Sequence, residues 1–150
     1  MTSIPDALKR KAKAPARKHT TPVRQLAGTA VDAILDKKGL DVVVMDMAGV
    51  SGVADMFVIA TGESDLQIKA IADAVVDQVR EKHAERPWHK EGYEHRQWIL
   101  LDYVDLVVHV FHPERREFYG LERLWGDAPR EEVATDGSAA DVKLLQAKTA

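Results

Sequence analysis

The side chains able to do chemistry in this chain of 150 residues are six histidines and a scatter of carboxylates; there is no cysteine. Without a thiol the chain has no disulfide framework, no thiolate nucleophile and no Cys-held zinc or iron–sulfur cluster. His109 and His112 stand three apart at the end of an apolar run. On a strand that spacing sends the two rings to opposite faces, which spoils a shared metal site. His109, set among valines, reads as a hydrogen-bonded histidine within a sheet. Asp102 and Asp105 flank a turn, and Glu63 and Asp65 open a helix, where acids are stabilised by the dipole in any case. Neither pair forms the converging carboxylates that hold two cations for phosphoryl transfer. Ser51 and Gly52 lie between strands without the pattern of a phosphate cradle, and no serine sits in a nucleophile elbow. These residues argue against an enzyme, and no metal or cofactor is expected.

What remains is a surface. Trp88, Tyr93, Trp98, Tyr103, Phe111, Phe118, Tyr119 and Trp125 crowd into one quarter of the chain, interleaved with Glu91, Asp102, Asp105, Glu114 and Glu117. Aromatics bordered by acids suit a protein partner presenting lysine and arginine. Phe111, Phe118 and Trp125 are expected to close the core. Trp98, Asp102, Tyr103 and Asp105, at or near a hairpin, are better placed for contact.

The elements that must position these residues are legible in turn. Thr21 and Pro22 suit a helix start, as N-cap and first helical residue. Val23, Leu26, Ala27, Ala30, Val31, Ile34 and Leu35 then recur at helical spacing, with Gly39 as a left-handed terminator. Runs at 41 to 47 and 55 to 61 are apolar without alternation, which predicts strands covered on both faces. Ser64 and Gln67 have capping-box spacing, and Ile68, Ile71, Ala72, Val75, Val76 and Val79 predict a second helix to about His83. A weak edge strand is expected around Trp88, and two antiparallel strands at 98 to 103 and 106 to 111. A two-residue loop of Tyr103 and Val104 would demand positive φ, which a β-branched valine resists, so the hairpin register stays open. The order predicts an α/β (α+β) domain with a mixed sheet of four to five strands carrying helices.

Charge divides the chain. Residues 1 to 24 carry +6 and the remainder −9, within a net charge of −3. Residues 1–20 read as a basic disordered arm, most simply a solvated tail. Contact with rRNA phosphates is the functional alternative, and a mitochondrial presequence ranks third. Residues 21–127 read as the domain and 128–150 as a mobile C-terminal tail. No apolar run reaches the roughly 20 residues needed to span a bilayer, so no membrane partner is expected and a cytoplasmic location is the default.

Many blocks of the sequence carry a resemblance: Asp55, Phe57, Val58, Ile59, Thr61 and Gly62; Ser64, Lys69, Ile71 and Ala72; Glu91 and Gly92; Trp98, Leu101, Asp102, Asp105, Val107, His109 and Val110; Tyr119, Leu121, Glu122, Leu124 and Trp125. Together, from about residue 23 to 127, they resemble the ribosomal silencing factor (RsfS, Iojap-related) family. The resemblance implies a nucleotidyltransferase-like fold lacking the catalytic residues. It implies binding to large-subunit ribosomal protein fourteen, where the bound factor blocks joining of the small subunit and represses translation when nutrients are scarce. Carried onto this chain, the contact falls on Trp98, Asp102, Tyr103, Asp105 and His109, with Trp88 and Glu91 as neighbours. Symmetry allows a homodimer of the free factor through the same patch. Val104 departs from the pattern, since relatives often have glycine there.

Overall fold

The strongest apolar runs make the centre of the sheet. In the computed structural model, which describes residues 21–50 and 52–146, β1 (Leu40–Asp46) pairs antiparallel with β2 (Met56–Thr61), and β2 runs parallel to β5 (Leu106–Phe111). β4 (Trp98–Asp102) returns antiparallel to β5, while short β3 (His89–Glu91) and β6 (Arg130–Val133) form the edges. The order is β3-β4-β5-β2-β1-β6. The parallel pairing of β2 with β5 needs a long crossover, which α2 (Asp65–His83) and the β3–β4 pair supply.

Helices α1 (Val23–Asp36) and α2 pack together on one face of the sheet. There Leu26, Ala30, Ile34, Ile68, Ile71 and Val75 meet Val42, Val44, Val58, Val108 and Leu101. The opposite face gathers Val43, Met45, Phe57, Ile59, Val107 and Phe111 under the segment that contains Leu121 and Ala128. Two short helices, α3 (Pro113–Tyr119) and α4 (Leu121–Leu124), follow β5. The absence of alternation in β1, β2 and β5 thus has its reason: both sides are covered.

The ends of α1 correct two expectations. Pro22 occupies the N-cap position and Val23 begins the helix, so Thr21 is not the cap. At the other end Lys38, not Gly39, takes the left-handed conformation (φ 64°). Gly39 N–H donates to Ile34 O and Lys38 N–H to Leu35 O, the paired bonds of a Schellman ending. Gly39 is needed for space: a Cβ there would come within 2.3 Å of Ile34 Cγ2. The start of α2 follows its sequence signal, since Ser64 Oγ accepts from Gln67 N–H at 3.1 Å. Gln67 Oε1 accepts from Glu63 N–H, and its Nε2 donates to Lys37 O and Lys38 O, tying the two helices end to end.

The sheet has six strands instead of four to five. β6 escaped notice because Arg130–Val133 is an edge strand whose only buried residue is Val133; charged edge strands carry no apolar run. Its pairing with β1 also corrects the mobile tail. After β6 the chain crosses α1, where Ala139 N–H donates to Asp32 Oδ1, Val142 is buried and Leu144 O accepts from Arg24 Nε. Glu131 accepts from the N–H groups of Lys143 and Leu144, fixing the strap to the edge strand. The basic arm at 1–20 lies outside the described residues.

Candidate functional site

β4 decides where the contact residues go, because its first and last residues lie at opposite ends of the sheet. Trp98 opens β4 opposite Phe111, whereas Asp102 closes it opposite Val107. Trp98 and Tyr103 are five residues apart, roughly 16 Å along a strand. The seven residues singled out from the sequence therefore form two groups and not one patch.

The Trp98 end holds an aromatic stack. The indole centroid is 4.6 Å from Phe111 and 4.5 Å from Tyr119, and Phe118 meets Tyr119 edge-on at 5.3 Å. Trp98 Nε1 donates to His109 Nδ1 at 3.1 Å. An indole N–H can only donate, so Nδ1 of His109 is an acceptor and the neutral ring carries its proton on Nε2. His109 is fully buried, and desolvation alone lowers its pKa to about 3. In front of the stack lies an open cleft of about 480 Å³, lined by Glu91, Gly92, His95, Gln97, Trp98, Arg115 and Tyr119. Gly92 belongs there for a geometric reason: its φ is +94°, and a Cβ would sit 1.9 Å from Trp98 O.

The opposite end is a tight, acidic turn. Tyr103 N–H donates to Leu106 O, and Asp105 N–H donates back to Tyr103 O across Val104, whose φ is 75°. That makes a γ-turn of the rare positive-φ kind inside the hairpin, which fixes the register the sequence left open. Asp102 Oδ1 accepts from Val104 N–H at 2.8 Å, which holds the turn. Asp105 O accepts from Asp55 N–H and Met56 N–H, pinning β5 to β2. Asp55 is raised in pKa by desolvation first, then by the nearby charges of Asp105 and Asp46, against the lowering influence of Arg24.

Burial corrects the sequence assignment. Asp102, Tyr103 and His109 are all 0 % exposed, so none offers its side chain to a partner in this conformation. Tyr103 joins the core under the helices, where burial raises its pKa. The hairpin suggested exposure because turns usually face solvent; here the turn's own tyrosine folds inward. Phe118, expected in the core, is 52 % exposed, and Trp125 only partly packs against the second core. Trp88 precedes β3, is 36 % exposed and does not line the cleft. Glu91, Trp98 and His109 do converge. Sequence reasoning missed Arg115, Gln97 and His95, which carry no local signal because the 92–97 loop and α3 meet only in the folded chain. Among the described residues, no group of three or more His, Cys, Asp and Glu could hold a metal ion. None of the described helices is long and apolar enough to cross a membrane.

Fold and site together define a mixed α/β domain that presents a half-exposed aromatic cleft beside an edge strand. A family model described as "Ribosomal silencing factor during starvation" matches residues 20–150, and the chain belongs to that family. It is 44% identical over 110 residues to a ribosomal silencing factor of Halalkalibacterium halodurans, covering 73% of this chain and 93% of that protein. A plant relative, the mitochondrial Iojap-related protein of Arabidopsis thaliana, is 36% identical over 100 residues, 63% of this chain and 52% of its own. A crystal structure from Chromobacterium violaceum superposes with a TM-score of 0.68 at 30% identity, covering 81% of this chain and 98% of that one. The family ties the chain to ribosome-associated regulation of translation.

Proposed function

We propose that the chain binds the large ribosomal subunit through ribosomal protein fourteen and occupies space the small subunit needs, lowering translation in the cytoplasm when nutrients are scarce. The observation that carries the reading is the Trp98 cleft. A tryptophan held half-exposed by Phe111, Tyr119 and His109, beside the carboxylate of Glu91, is the kind of aromatic anchor that dominates protein interfaces. An interface built around it would bury roughly 800 Å² on each side. The acidic turn at Asp105 and Asp55 is a second surface facing basic partners, and rRNA contact by residues 1–20 is a separate proposal.

Subunit joining followed by light scattering tests the reading. Added protein should lower the yield of joined ribosomes, and Trp98→Ala should weaken binding to the large subunit by about 30-fold or more, the loss of one anchor residue. Leu66→Ala, at an exposed position at the start of α2, serves as the control. Asp105→Lys probes the other end of β4, and removal of residues 1–20 probes the arm. Undisturbed joining in the presence of excess protein would refute steric exclusion.

A further inference from the structure

An apolar strand does not need a histidine. His109 lies in β5 between Val108 and Val110, has no exposure, and contacts Phe57 and Phe111 by its ring. Its Nε2 has no hydrogen-bond partner among the described residues. Burying a polar atom without a partner is destabilising, so the histidine must be explained by what Nδ1 does. Nδ1 accepts from Trp98 Nε1. Trp98 is partly buried where it lines the cleft, and its N–H is turned inward to His109 and not out toward the cleft mouth. The bond both satisfies the indole N–H and selects one orientation of the ring. Phe111 and Tyr119 restrict the ring by contact, and among the described residues His109 adds the directional constraint of a hydrogen bond.

Resting on the reading of Trp98 as the ribosome-facing anchor, we infer that His109 is a positioning residue for that contact. It is buried one strand behind the interface and locks the indole in its binding orientation through Nδ1. Orientation matters to affinity because an anchor that is fixed before binding loses less rotamer freedom when it docks. The partner would then meet a preset indole face and edge beside Glu91, Gln97 and Arg115. The same arrangement explains how a fully buried residue can matter to a surface event without touching the partner.

The test uses the full chain with four substitutions, one of them only to assign a resonance. His109→Phe fills the space with a ring and removes the acceptor. His109→Asn keeps an acceptor, the amide oxygen, close to the position of Nδ1, and Trp98→Ala removes the anchor. The indole N–H resonance of Trp98, assigned by its absence in Trp98→Phe, reports the hydrogen bond, and co-sedimentation with purified large subunits reports affinity. His109→Phe should shift that resonance upfield and weaken binding about tenfold, the worth of one net hydrogen bond. His109→Asn should restore much of both. A folded His109→Phe that moves the resonance yet binds as wild type overturns the positioning role while leaving the Trp98 reading intact. Wild-type binding by Trp98→Ala overturns both. Should His109→Phe fail to fold, hydrogen exchange in the unaltered protein decides: slow exchange of the Trp98 indole N–H relative to that of the exposed Trp88 supports the lock, and equally fast exchange overturns it.

Discussion

Acid should destabilise this protein through His109, and the size of the effect follows from its burial. In the folded chain the ring stays neutral down to a pKa of about 3, whereas an unfolded histidine titrates near 6.5. The unfolded state therefore binds a proton that the folded state refuses. Stability from this residue is complete above pH 6.5 and falls as pH drops from 6.5 toward 3, by about 1.4 kcal/mol per pH unit. Between pH 7.5 and pH 5 the loss is about 2 kcal/mol. Protonation would also place an N–H at Nδ1, where Trp98 Nε1 needs an acceptor, so the indole lock and the fold weaken together. His83 adds a smaller contribution of the same sign, since desolvation and then Lys82 lower its pKa against the raising influence of Glu85. Urea unfolding of wild type and His109→Phe at both pH values isolates the share of His109. The wild-type protein should lose about 2 kcal/mol more than the variant over this interval. Parallel pH dependences in the two proteins would show that His109 is hydrated or already protonated in the native state, and would remove the basis for its neutral tautomer.

Val104→Gly should stabilise the chain. Relief of a β-branched residue at φ 75° is worth about 1–3 kcal/mol, less the roughly 0.5–1 kcal/mol entropic cost of glycine. The result is a melting temperature higher by a few degrees in calorimetry, and a lower value would mean the turn is not strained. Truncation after Asp127 removes β6 and buried Val133 and Val142 and uncovers the edge of β1; the urea midpoint should fall, by about 2 kcal/mol or more. An unchanged midpoint would mean that the segment does not pack in solution. Arg116→Met deletes donors to Asp41 O, Thr61 Oγ1 and Glu122, which tie α3 to β1 and β2. Chemical denaturation should record a loss of about 2 kcal/mol, because the acceptors are left behind; a neutral result would make the network dispensable.

Local pattern was enough wherever one element carried its own signal. The helical spacing of Leu26, Ala30 and Ile34 named α1, Ser64 and Gln67 marked the start of α2, and the unbroken apolar runs marked strands covered on both faces. The separate blocks from Asp55 to Trp125 were enough to indicate the family. Reading His109 as a hydrogen-bonded sheet histidine needed only its valine neighbours. Partners were another matter. That its bond comes from Trp98 depends on the register of β4 against β5, which no spacing within either strand contains.

Exposure was likewise decided only by the tertiary structure. Tyr103 and Asp102 have the composition of a contact turn, yet the γ-turn at Val104 folds the tyrosine into the helix-side core and buries the carboxylate. Phe118 looks like core in sequence and stands on the surface. β6 is hidden by its charges until β1 pairs with it. Periodicity reports which side of an element is apolar, because that depends on neighbours along the chain. Which apolar side remains uncovered depends on neighbours brought from far along the chain, and for Trp98 those are Gly92, His109, Arg115 and Tyr119.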